Sequence, residues 1–155
     1  IAPHNINPQN IEKLKQIINK KVILYSEKGT KNLSEYQVLI IDTIGILTQV
    51  YKYGDIAYVG GGFGSGIHNI LEPATFGIPI IIGPNYQKFK EAKDLIDEKA
   101  CISVQNSIEF DNAITLLFSD DDLRKNKGNI AKEYIANNVG STQTIMNYIN
   151  TNFSL

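Results

Sequence analysis

Ala57-Tyr58-Val59-Gly60-Gly61-Gly62-Phe63-Gly64-Ser65-Gly66-Ile67-His68-Asn69-Ile70-Leu71-Glu72-Pro73-Ala74 is the stretch whose reading decides the fold. A short apolar strand runs into a loop with five glycines in seven positions, and a helical pattern starts almost at once. Glycine has no Cβ, so backbone N–H groups can turn toward a ligand that comes close. A helix N-terminus adds unsatisfied donors and a partial positive charge. Together they make a seat for an anion such as a phosphate or a carboxylate. His68, Asn69 and Glu72 follow the loop, and the three-residue spacing of Asn69 and Glu72 puts them on one helix face.

Working outward, Asn7 reads as the cap of a helix that begins at Pro8, with Ile11, Leu14, Ile17 and Ile18 at helical spacing. Strands are read at 21–25, 37–41, 56–59, 78–82 and 100–104, and a polar loop at 26–35. Helices are read at 46–53, at 69–76 with Gly77 as its stop, and at 87–98. Ser107 is expected to cap another helix, Asp120-Asp121-Asp122 to open the next with acids at its positive end, and Gly140-Ser141 to precede a last one at 142–150. The strands are apolar without alternation, as strands covered on both faces are. Strands alternating with helices predict an α/β fold, a doubly wound, Rossmann-like parallel sheet forming a single domain over residues 1–155. Ligands of such sheets bind beyond the strand carboxyl ends. Pro3-His4, Asp42-Thr43-Ile44-Gly45, the glycine loop and Gly83-Pro84-Asn85 all end strands, so they are expected to line one cleft.

Composition narrows the function. A net charge of -1 and a pI near 6.1 argue against a nucleic-acid partner, which would call for a basic surface. The single cysteine, Cys101, lies in an apolar run and reads as a buried thiol rather than a nucleophile. One Cys and two His cannot build a structural zinc site, and no metal is expected. No disulfide framework is possible, which suits the cytoplasm. No apolar run approaches the roughly 20 residues of a membrane span, and no signal peptide is expected in these residues. Ile1-Ala2-Pro3-His4 reads as the end of a strand whose beginning is absent, so a longer parent protein is expected.

The glycine loop is not a dinucleotide fingerprint: Gly62, Gly64 and Gly66 are spaced G-x-G-x-G, and no acidic residue closes a second strand downstream. Nor is it a P-loop, since no Gly-Lys-Ser/Thr follows. A flexible turn is the plain alternative, but so many glycines lose chain entropy on folding unless close backbone approach requires them. Glu72 has two readings, a grip on a ribose diol or a dipole-compensating acid of the first turn; the glycine loop before it and Pro73-Ala74 after it favour the diol. Asn69 is first a helix cap, and from there can also touch ligand. His68 either contacts an anion or packs the loop. Asp42 reads as a turn or helix cap, Lys88 and Lys90 as surface charges, and Tyr51, Tyr53 and Tyr58 as partly buried packing residues. No nucleophile–base pair and no carboxylate pair suited to hydrolysis stands out, so no catalytic residue is assigned.

Asp42-Thr43-Ile44-Gly45, the run from Tyr51 through Gly62, Gly66-Ile67-His68-Asn69-Ile70-Leu71-Glu72-Pro73-Ala74, and Gly83-Pro84 with Phe89-Lys90-Glu91 resemble the C-terminal domain of the 3-deoxy-D-manno-octulosonic acid (Kdo) transferases. Ala2-Pro3-His4 resembles its start and Gly140-Ser141-Thr142 its closing Gly-Ala-Thr segment. The resemblance implies the C-terminal half of a GT-B glycosyltransferase, with the acceptor domain absent. It implies transfer of Kdo from CMP-Kdo to a lipid A precursor in lipopolysaccharide biosynthesis, at the cytoplasmic face of the inner membrane of Gram-negative bacteria. Membrane attachment, the acceptor site and the general base would come from the N-terminal part, leaving this fragment soluble and inactive alone. The donor site implied comprises Gly62, Gly64, Ser65, Gly66 and His68 with the following helix start at the phosphate or the sugar carboxylate. Glu72 would hold the ribose with Asn69 beside it, and Thr43, Ile44, Gly45, Pro3 and His4 would flank the cytidine, with no metal or other cofactor. The chain departs from the family in having Pro3-His4-Asn5 for Pro-Arg-His, Gly45-Ile46-Leu47 for Gly-Glu-Leu, and Lys88-Phe89 for Asn-Phe. Two other readings stand beside this one: a GT-B donor domain for a UDP- or GDP-sugar, and a non-catalytic nucleotide-binding module.

Overall fold

A computed structural model describes residues 1–153. The single domain expected from the sequence divides by its packing into two compact units, Ile1–Val50 and a second that begins at Tyr51.

In the first unit the Asn7 carboxamide oxygen accepts the N–H groups of Gln9 and Asn10 at 2.9 and 3.2 Å and starts helix α1 (Pro8–Ile17). Pro8 fits because its missing N–H falls where no intrahelical partner exists. Ile11 packs on Leu24 and Ile40. These belong to strands β1 (Val22–Leu24) and β2 (Val38–Ile40), which pair in parallel with Val22 opposite Val38. Ile1 runs alongside β2: its ammonium donates to the Leu39 carbonyl at 2.7 Å, and its own carbonyl accepts the Ile41 N–H at 2.8 Å. The strand-like reading of the first residues agrees with this contact. The polar stretch 26–35 carries 3-10 turns at Tyr25–Glu27 and Leu33–Glu35, and helix α2 (Leu47–Tyr51) follows β2.

The second unit holds a parallel sheet of β3 (Ala57–Val59), β4 (Ile80–Ile82) and β5 (Cys101–Ser103), with β4 in the middle. That position explains why Ile80, Ile81 and Ile82 are uninterrupted by polar residues: each is 0% exposed, because both faces of the strand are covered. Ile80 and Ile82 join Ala74 of helix α3 (Leu71–Thr75), Leu95 of α4 (Lys90–Asp97) and Ala131 and Tyr134 of α6 (Asp121–Asn137). Ile81 joins Val104, Ala113 and Leu117, the last two on α5 (Ser107–Ser119). Helices on both faces of a parallel sheet are the α/β architecture the sequence implied. The Tyr134 hydroxyl donates to Asp94 Oδ2 at 2.9 Å, tying α6 to α4. Burial, and then this bond, push the Tyr134 phenol up to about 12.

Three expectations are corrected. Asn106, not Ser107, caps α5; its backbone is extended and its carboxamide oxygen takes the Glu109 N–H at 3.0 Å, leaving Ser107 as the first helical residue. The helix expected over 69–76 is shorter, Leu71–Thr75, because the Asn69 side chain takes the Leu71 N–H and Gly77, at φ +68°, turns the chain out. Tyr53 is not a packing residue: it is 78% exposed, with the Lys52 ammonium 4.9 Å from its ring. Asp120 does cap α6, accepting the Leu123 N–H at 2.8 Å, and Gly140, at φ +102°, precedes α7 (Ser141–Asn152).

Helix α6 meets the turn after α3 backbone to backbone: a Cβ on Gly128 would lie 2.0 Å from the Gly77 carbonyl oxygen. Gly→Ala inside a helix ordinarily stabilises by about 1 kcal/mol. Here the overlap reverses the sign, and Gly128→Ala is expected to destabilise by roughly 1–3 kcal/mol, read as a lower melting temperature. A rise in melting temperature would show that the two backbones are not in contact.

Candidate functional site

The glycine loop leaves the carboxyl end of β3 and is held by its own backbone. The Gly61 carbonyl accepts the N–H groups of Gly64 and Gly66 at 2.8 and 3.4 Å, and the Gly60 carbonyl accepts that of His68 at 3.0 Å. This corrects one part of the sequence reading: the amides of Gly64 and Gly66 are turned into the loop rather than outward to an anion. Close approach does require glycine here, but much of it is approach to the protein itself. A Cβ on Gly62 would lie 2.7 Å from the Gly83 nitrogen, and one on Gly66, at φ +143°, would lie 2.9 Å from the Phe89 ring. Gly64 differs: its φ is not in the left-handed range, and its Cβ would meet nothing nearer than the Gly61 oxygen at 3.5 Å. Phe63, Gly64 and Ser65 are exposed, and Gly62 is buried.

The loop ends at a short polar cluster. Asn69 Oδ1 accepts the Leu71 N–H at 3.0 Å, and its side-chain amide donates to Glu72 Oε1, also at 3.0 Å. Asn69 is therefore not the helix cap, a position held by Ile70 without a side-chain bond; standing just before the helix, it takes the first helical N–H and ties down Glu72. Glu72 is half-buried and Asn69 and His68 are exposed. Tyr51, half-buried with its ring 6.0 Å from that of Phe76, lies within the field of Glu72. Its phenol is raised above the usual range, first by burial and then by the Glu72 carboxylate.

Sequence reasoning placed Asn85 at the cleft but gave it no role. The backbone N–H of Asn85 donates to the Gly62 carbonyl at 2.9 Å, and its side-chain amide to the Gly64 carbonyl at 2.8 Å. Gly83-Pro84-Asn85 was legible as a strand end, so its meeting with the glycine loop follows from adjacent parallel strands β3 and β4. The donor chemistry of Asn85 had no signal of its own.

In the first unit, Thr43, Ile44 and Gly45 are exposed beyond β2, Ile44 to 89%, and Gly45 has φ +89°. Pro3 is half-buried and His4 exposed. The turn is anchored by Asp42, whose carboxylate accepts the backbone N–H of Ser26 at 2.9 Å and the Ser26 hydroxyl. Partial burial acts to raise the Asp42 carboxyl, but these bonds outweigh it and hold it below the usual carboxylate range. The sequence suggested a local turn or helix cap; the partner is instead Ser26, 16 residues earlier in the chain. Cys101 is buried, and its thiol is pushed up to about 12 by that burial, so it is not a nucleophile at neutral pH. Among the described residues, no three His, Cys, Asp or Glu gather as a metal site, and no helix is long and apolar enough to cross a membrane.

Two predictions follow from this geometry. Gly64→Ala is expected to leave stability within about 0.5 kcal/mol, whereas Gly66→Ala lowers it by roughly 1–3 kcal/mol; chemical denaturation of the two variants checks the contrast, and equal effects would refute it. Asp42 has a folded pKa depressed below its unfolded value, so its stabilisation is fully present above the ordinary carboxylate range and is lost as pH falls through the folded value. Asp42→Asn should therefore lower stability at pH 7 by on the order of 1 kcal/mol and flatten the fall in stability as pH drops below the ordinary carboxylate range. An unchanged acid limb would remove Asp42 from that role.

No family model matches the chain. It is 40% identical over 116 residues to the 3-deoxy-D-manno-octulosonic acid transferase of Aquifex aeolicus, covering 72% of this chain and 32% of that enzyme. It is 35% identical over 118 residues to that of Chlamydia trachomatis serovar D (71% and 27%), and 26% identical over 148 residues to that of Haemophilus influenzae (92% and 35%). The chain thus spans about a third of the length of these curated relatives. The crystal structure of the C-terminal CMP-Kdo binding domain of WaaA from Acinetobacter baumannii matches with a TM-score of 0.70 and 24% identity, covering 81% of this chain and 66% of that one; this likeness is one of fold. By sequence the chain is a relative of the 3-deoxy-D-manno-octulosonic acid (Kdo) transferases, and its fold is that of the C-terminal domain solved for WaaA.

Proposed function

We propose that this chain is the donor-binding part of a Kdo transferase, holding CMP-Kdo for transfer of the sugar to a lipid A precursor. The observation that carries the reading is the 40% identity, over 72% of the chain, to a Kdo transferase. The site geometry fits it. The glycine loop offers a seat for the donor phosphate beyond the end of β3, and Glu72 stands half-buried one turn further on, held in place by Asn69.

The chemistry follows from charge. As the bond between sugar and CMP breaks, the leaving phosphate gains negative charge. Fixed backbone dipoles that already face it stabilise that charge without having to reorganise. The reading gives this work to the loop amides rather than to a metal ion. Glu72 accepts two hydrogen bonds from the ribose diol. A base that activates the acceptor hydroxyl must act from the opposite side of the sugar. We assign it, the lipid acceptor site and attachment to the inner membrane to the remaining two thirds of a GT-B enzyme of this type.

Thermal shift with CMP, UDP and GDP tests the donor. CMP at about 100 times its dissociation constant should stabilise the chain by roughly 2.7 kcal/mol, and UDP and GDP at the same concentration by much less. Stronger protection by UDP or GDP would move the chain to another sugar donor. Protection by none of them would overturn nucleotide-sugar binding. Glu72→Gln should weaken CMP by roughly 10- to 100-fold, since hydrogen bonds to a charged group are worth about 1.5–3 kcal/mol; unchanged affinity would remove Glu72 from the ribose.

A further inference from the structure

We propose that Asn85 is a positioning residue for the phosphate seat, and that the donors it turns outward are the amides of Phe63 and Ser65. This rests on the reading of the glycine loop as the place where the donor phosphate sits. The argument is one of peptide geometry. A trans peptide is planar, so the C=O of one residue and the N–H of the next point in opposite directions, and there are no cis peptides among the described residues. Asn85 grips two carbonyls of the loop: its backbone N–H holds that of Gly62 at 2.9 Å and its side-chain amide holds that of Gly64 at 2.8 Å. The N–H groups across those two peptides belong to Phe63 and Ser65, and they point away from Asn85. The amides of Gly64 and Gly66 are meanwhile turned inward to the Gly61 carbonyl. The loop thus alternates, with the 64 and 66 amides facing in and the 63 and 65 amides facing out.

A second observation points the same way. Gly64 lies between the two outward amides and is exposed, yet neither crowding nor a left-handed φ requires glycine there. A phosphate lying across both amides would require it, because any Cβ at that position narrows the approach. The residue type at 85 fits as well. Holding both carbonyls takes a backbone N–H and a side-chain donor of carboxamide length; Asp would set a carboxylate against the Gly64 oxygen instead.

The test compares CMP with cytidine, which lacks the phosphate, by titration calorimetry on the 155-residue chain. The wild type is expected to prefer CMP by at least tenfold. Asn85→Ala should lose fivefold or more of that preference while its affinity for cytidine stays within twofold, a pattern that general damage to the fold would not give. Wild-type protein with no preference for CMP would overturn the phosphate seat itself. A preference that survives intact in Asn85→Ala, or an equal loss for both ligands, would leave the seat standing and overturn the role of Asn85. A measurement on the wild type covers the case in which the variant does not fold. On adding CMP, the amide proton resonances of Phe63 and Ser65 should move downfield further than those of Gly64 and Gly66, and the reverse order would overturn the assignment of donors.

Discussion

The main chain of Gly62 lies directly against the main chain of Gly83. A Cβ on either would come within 2.6–2.7 Å of the other's backbone, far inside contact distance. The loops that leave β3 and β4 are therefore joined without intervening side chains, and the site depends on that contact. It brings Asn85, two residues past Gly83, within hydrogen-bond reach of the Gly62 and Gly64 carbonyls. It also seats Phe63 beside Gly83, where a Cβ would lie 2.9 Å from the ring. Without these approaches the glycine-rich stretch would be a mobile turn, since glycine gives up more conformational freedom on folding than any other residue.

The contact persists because the strands beneath it are rigid. Ile80, Ile81 and Ile82 are fully buried and pair on both sides, with β3 and with β5. Burying an isoleucine contributes about 1.5–3 kcal/mol, so the position of Gly83 is fixed by the core that ends one residue before it. The other side of the loop is closed by Phe89 at the start of α4, whose ring fills the space a Cβ on Gly66 would need. Packing on two sides leaves the exposed segment 63–65 as the part of the loop that a ligand can reach.

Much of this fold could be read from the chain. Apolar runs gave the strands, and Asn7, Asp120 and Gly140 marked helix starts where the structure has them. The error at Ser107 is instructive. Asn106 and Ser107 are both good caps, and the tie is broken by Glu109, three residues past Asn106, whose carboxylate returns to the Gln105 N–H at 2.8 Å. That spacing was present in the sequence and went unused. Tyr53 was misread because aromatic character indicates a tendency to be buried and not a position; just past the end of α2 it has no apolar surface to lie on. The site divides in the same way. Asn69 and Glu72 were paired by a helix rule for residues three apart, and the pair does form, with Asn69 just outside the helix. The glycines showed where the backbone comes close but not what it comes close to, since Gly83 and Phe89 lie about twenty residues on and no spacing rule reaches them. Which amides face outward is a property of peptide planes, and residue types carry no trace of it.

Helix α3 bears on whether Asn69 and Glu72 are a helix cap or a ligand grip. Five residues are too few for a helix to form alone, because nucleation is unfavourable and little propagation follows it. What holds α3 is tertiary: Pro73 and Ala74 are buried in it and Ile70 just before it, while Asn69 closes its first turn. The carboxamide of Asn69 spends its oxygen on Leu71 and one of its two N–H donors on Glu72. The bond from Asn69 therefore holds Glu72 before any ligand arrives, and a ligand that uses Glu72 is spared the roughly 0.5–1.5 kcal/mol of ordering a free side chain. An ionised carboxylate has about four acceptor positions. The bond from Asn69 occupies one, which leaves room for the two hydroxyls of a proposed ribose. The structural role and the proposed ligand role are thus successive uses of the same two side chains, and the first lowers the ordering cost of the second.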